Sequence, residues 1–74
     1  MTAAGNRRID LATGLMNCGV NDGAAWALAD EILGANPGTR IDVVLRAHLL
    51  FRGDHGAQAR AAVFVADFVG EPLL

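Results

Sequence analysis

Apolar residues recur at helical spacing in four stretches of the chain, and glycine or proline closes each stretch. From about Asn6 or Arg7 to Cys18, the residues Ile9, Leu11, Ala12, Leu15 and Met16 share one face. Gly19 suits the left-handed position that ends a helix. Asn21 or Asp22 is placed to cap a second helix, whose packing set is Ala25, Leu28, Ala29 and Ile32 and which ends at Leu33–Gly34. "GANPGT" is a turn cluster, after which Thr39 is expected to cap a third helix over about 40–52. Asp42 and Arg46 lie four apart there, a spacing that allows an ion pair on a solvated face. Gly53 closes this helix. Asp54 caps a fourth, about 55–69, with Ala57, Ala61, Phe64, Val65 and Phe68 along one face and Gly70 and Pro72 beyond its end. The turn signals leave no stretch of strand-like alternation.

The expected fold is therefore all-α. About four short antiparallel helices form one domain over 1–74. Residues 1–5 are expected to be frayed, 6–39 to make one helical hairpin and 40–74 a second. Helices three and four are apolar nearly all round, whereas a helix in a small monomer should carry one apolar stripe and one polar face. That excess predicts a partner chain or self-association.

The two halves also repeat. An offset of 34 residues pairs Leu11 with Leu45, Leu15 with Leu49, Gly19 with Gly53, Ala25 with Ala59 and Ala27 with Ala61. Thirty-four residues is the period of the tetratricopeptide helix–turn–helix, which needs a small residue where its two helices cross. Ala25 and Ala59 stand at that place, and Pro37 and Pro72 follow the second helices. The aromatic residues usual in the first helix of such a unit are replaced by Ile9 and Val43 early in it and by Met16 and Leu50 late in it. Two units fall short of the three usually needed to bury a continuous core. The competing reading is an ordinary four-helix domain whose helix lengths happen to repeat.

In a tetratricopeptide pair the first helix of each unit lines the concave side. Here that means Asp10, Gly14, Asn17 and Cys18, then Ile41, Val44, His48, Phe51 and Arg52. Such a groove suits an amphipathic helix laid along it. Val44, His48 and Phe51 are its expected contacts, with His48 at the polar edge, and Trp26 on the flank is a further contact or a core residue.

The run Arg46-Ala47-His48-Leu49-Leu50-Phe51-Arg52-Gly53-Asp54, with Ala59 beyond it, resembles the tetratricopeptide-type chaperones of type III secretion needle subunits, over about residues 9–66. The resemblance implies a cytoplasmic chaperone. Together with a second small helical protein, it would cradle the amphipathic C-terminal helix of an aggregation-prone secreted subunit. Several members of that family are longer than this chain. The alternative function is a self-associating scaffold or adaptor.

Composition narrows the chemistry. At 74 residues the chain is one small domain, marginal in the surface it buries. It has no serine, lysine or tyrosine, so most of the usual nucleophiles and acid–base groups are missing. Cys18, His48 and His55 match no zinc spacing, and neither catalysis, a metal nor a cofactor is expected. The single cysteine fits a reducing compartment. The tripeptide Arg52-Gly53-Asp54 falls between two helices, not in an extracellular adhesion loop. Net charge is −2, and the positive charges, all arginine, are not clustered, which argues against nucleic acid. A recognition helix would also need polar readers, whereas Arg40, Arg46 and Arg52 are spread around an aliphatic helix. No apolar run approaches the roughly 18 residues of a membrane span, and no signal peptide is recognisable.

Overall fold

Among the described residues, four α-helices and one 3-10 turn follow one another: α1 (Ala3–Asn17), α2 (Asp22–Gly34), α3 (Arg40–Arg46), the 3-10 turn His48–Phe51, and α4 (His55–Val69). The computed structural model describes residues 3–52 and 54–72, with side chains from Arg7 onward. Among the described residues there is no strand, and the fold is all-α. The helix α1 pairs with α2 and α3 with α4, while α4 also lies against α1 and α2 against α3. The molecule measures 36 × 27 × 16 Å. Its thinnest dimension is little more than the roughly 10–12 Å diameter of one helix. A slab this thin leaves helices with outward faces.

Local signals set most helix ends. The Asn21 side chain accepts a hydrogen bond from the Ala24 amide at 3.0 Å, and Asp54 does the same for Ala57. These bonds satisfy amides that a helix start leaves without partners. Gly19, at φ 112°, ends α1 in a paired turn: its amide bonds the Met16 carbonyl and that of Val20 reaches back to Leu15. Thr39 departs from the expectation. It makes no side-chain cap, because its hydroxyl donates instead to the Asn36 carbonyl at 2.7 Å and closes the preceding turn. Of the segment expected to be frayed, residues 3–5 are helical. Met1 and Thr2 lie outside the described residues, as does Gly53.

The third helix is shorter than its apolar pattern implied. It stops at Arg46. The Ala47 amide is shared between the carbonyls of Val43 and Val44, and the chain tightens into the 3-10 turn, which ends at Arg52 in a left-handed conformation (φ 55°). The cause lies on α4. The Gln58 Nε2 donates to the carbonyls of Leu45 (2.7 Å) and Val44 (3.4 Å). Those are the acceptors that an uninterrupted α-helix would offer to Leu49 and His48.

One core joins the two hairpins: Leu11, Leu15, Ala25, Leu28, Ala29 and Ile32 meet Val43, Val44, Phe51, Ala61 and Val65. The repeat survives as two hairpins, but its register changes. Each described pair of identical residues at offset 34 is split between core and solvent: Leu11 and Leu15 are buried while Leu45 and Leu49 are exposed, Ala25 is buried while Ala59 is exposed, and Ala27 is exposed while Ala61 is buried. An offset of 33 matches the two caps, Asn21 with Asp54. It also matches buried positions: Leu11 with Val44, Ala25 with Gln58, Leu28 with Ala61, Ala29 with Ala62 and Ile32 with Val65. One residue turns a helix by about 100°, so an error of one in register carries a core position to the surface.

Ala25 is fully buried, as a close helix crossing requires, but Ala59 is exposed and has no such role in the second hairpin. Ala25→Leu is expected to destabilise the chain by about 1–3 kcal/mol through overpacking. Ala59→Leu, on an exposed face, should stay within about 0.5 kcal/mol. Urea melts of the two variants check this ranking, and equal losses would restore the 34-residue register.

Candidate protein-binding surface

The groove expected from the repeat is occupied by the protein itself. Gly14 on α1 lies directly beneath the Phe64 ring of α4, so close that an added Cβ would overlap the ring. The helix α4 thus packs on the side of α1 to which Asp10, Gly14, Asn17 and Cys18 were assigned. Asp10 and Asn17 are exposed at its margins, and Cys18 is half-buried against the core. Burial pushes the Cys18 thiol up, the reverse of what an activated nucleophile needs, with the Arg60 charge opposing weakly.

The second half of the expected site divides in the same way. Val44 is fully buried and Phe51 is 2% exposed, so both belong to the core and are not free to contact a partner. Ile41 is half-buried and packs against that core. Their inward direction follows from the packing of α3 and the turn after it against α4 and α2. Arg52 is exposed and His48 half-buried. Trp26 is half-buried and packs against the core, and the Arg8 guanidinium covers it, 4.6 Å from the ring centre, while its Nε and Nη2 donate to the Asp30 carboxylate. The Asp30 carboxyl is held below its ordinary range by that hydrogen bond.

His48 takes part in a small polar clasp. Its Nδ1 lies 3.2 Å from the Gln58 Oε1, and its ring stacks on that of His55 with centres 4.5 Å apart. The tautomer can be deduced. Gln58 spends its amide nitrogen on two carbonyls, so its oxygen faces His48, and Nδ1 must carry the proton. The clasp fastens the 3-10 turn to α4. Sequence reasoning had left His48 and His55 on separate elements, and Gln58 was missed altogether. Among the described residues no group of three or more His, Cys, Asp or Glu is placed to hold a metal ion, and no helix is long and apolar enough to cross a membrane.

The surface this turn presents was also missed. Leu49 is 86% exposed and Leu45 51%, with Leu50 at the edge. Arg46 and Arg52 rim them, both exposed. Asp42, Leu45, Arg46 and Leu49 follow the spacing i, i+3, i+4, i+7 of a single helix face, and the tight 3-10 turn keeps Leu49 in line with Arg46. Asp42 and Arg46 are the charged residues of this face in the sequence, but the leucines beside them are no less apolar there than the buried valines. The expected Asp42–Arg46 ion pair does not form, because the Arg46 Nε points to the Asp42 main-chain carbonyl.

No family model, curated protein or solved structure matches the chain.

Proposed function

We propose that the chain is a protein-binding module of chaperone type, which shields the apolar stripe of a partner's amphipathic helix on the Leu45–Leu49–Leu50 ridge. The observation that carries this reading is the exposure, on one side of α3 and the turn after it, of nearly all of Leu49 and half of Leu45. Such a ridge is costly in water and is the usual mark of an interaction site. Helix-in-groove and helix-on-helix recognition read such anchors at i, i+3, i+4 and i+7. Arg46 and Arg52 favour a client whose apolar stripe is edged by acidic residues. The resemblance to needle-subunit chaperones gives this client a concrete form: a small secreted subunit, met in the cytoplasm and held together with a second small helical protein. The role is binding rather than catalysis, and it requires no cofactor.

Leu49→Glu tests the reading, since the side chain is exposed and its loss leaves the core intact. Co-purification from the native host should recover a small helical partner with the wild-type chain and lose it with Leu49→Glu. A hot-spot anchor is worth about 2 kcal/mol or more, which is roughly 30-fold in affinity. The same proteins recovered in equal yield with both chains would sink the proposal.

A further inference from the structure

We infer that a second copy of the chain closes this same ridge in the absence of a client, as a two-fold symmetric dimer. The inference rests on the ridge that the proposed function uses, but not on the existence of a client. A two-fold interface must be self-complementary, so that residue i meets j and j meets i. The ridge satisfies that condition in apolarity and in the charges at its two ends, while Arg46 between them turns its Nε back to the Asp42 main-chain carbonyl of its own chain. Pair two copies antiparallel, with the axis at the height of Ala47. Leu45 of each then faces Leu49 of the other, and Asp42 of each faces Arg52 of the other. Leucine meets leucine twice, and carboxylate meets guanidinium twice. Asp42 and Arg52 are both exposed, and neither has a charged partner among the described residues. The acidic end and the basic end of the ridge are thus each free to be answered by the opposite end of a second copy. The leucines between them leave water at the same contact. Release of this dimer would expose the ridge to a client, so the two assemblies compete for one surface.

Charge exchange on the full chain tests the pairing, read by sedimentation equilibrium at low ionic strength, where exposed charge pairs are least screened. The wild type is expected to be dimeric and Leu49→Glu monomeric. Asp42→Arg sets arginine against arginine, and Arg52→Asp sets aspartate against aspartate. Each should dissociate about tenfold more readily than wild type. Aspartate is well tolerated in the left-handed conformation of position 52, so Arg52→Asp should fold. The two single variants mixed together should form a 1:1 heterodimer, because each then supplies the charge the other lacks. Circular dichroism of each variant confirms that the helices are intact. A monomeric wild type overturns the inference, and so does a dimer whose affinity ignores Leu49→Glu or the mixing of the charge variants. Binding of anionic lipid vesicles by a monomeric wild type would assign the ridge to a membrane surface instead. A monomer that still captures a client would leave the proposed function standing, and a dimer that captures none would remove that function and keep the pairing.

Discussion

Phe51→Ala is expected to lower the stability of the chain by about 3–5 kcal/mol, the usual cost of deleting a buried aromatic ring. Phe51 is 2% exposed and is the only large side chain that the 3-10 turn sends into the core. A domain of this length has roughly 4–11 kcal/mol to lose, at about 0.05–0.15 kcal/mol per residue. The variant should therefore melt more than about 12 °C below wild type, since 1 kcal/mol moves a domain of this size by about 4–8 °C. Leu49→Ala, two residues earlier, makes the contrast. At 86% exposure it should stay within about 0.5 kcal/mol. The pair separates a core residue from a binding residue within one short segment. If Phe51→Ala melted like wild type and lost only its partner, Phe51 would return to the groove where the repeat put it.

Gln58→Leu should cost about 1–3 kcal/mol, although it puts an apolar side chain of similar size into a nearly buried site. The amide it removes is the donor to Leu45 and Val44, at the place where α3 gives way to the 3-10 turn. Without it, acceptors at the end of a helix lose a partner in a region partly closed to water. His48 also loses the oxygen that orients its ring. Two outcomes are then open to the segment after Arg46. Its carbonyls can go unanswered and the turn fray, or the α-helix can run on through Ala47 and carry Leu49 and Phe51 to new angles. Both lower stability. Both also loosen the His48–His55 stack, visible as a change in the histidine ring resonances. A variant with wild-type stability and an unchanged stack would show that the 3-10 turn is fixed by the backbone alone.

The sequence by itself determined what depends on neighbours along the chain. Asn21 and Asp54 cap their helices because a side chain at that place reaches an amide three residues on, whatever the rest of the molecule does. Gly19 and Gly70 end helices because each takes a positive φ that costs glycine nothing. The buried set Ala25, Leu28, Ala29 and Ile32 was legible because these four recur at i, i+3, i+4 and i+7 while Asp30 and Glu31 fall outside that stripe. Helix α3 and the turn after it carry no such distinction. Val44 and Leu45 are equally apolar in sequence, yet the first is fully buried and the second half in water. The packing of α3 against α4 and α2 chose between them. The same packing set the 33-residue register, since burial follows helix phase, and matching residue identities an interval apart does not report phase. It also brought Gln58 to carbonyls 13 and 14 residues away and ended α3 there, an interaction that no local rule contains. The helix α4 covers one side of α1, while Leu45, Leu49 and Leu50 remain outside. Tertiary packing therefore decided the candidate surface, because it settled which of two equally apolar faces was left without a neighbour.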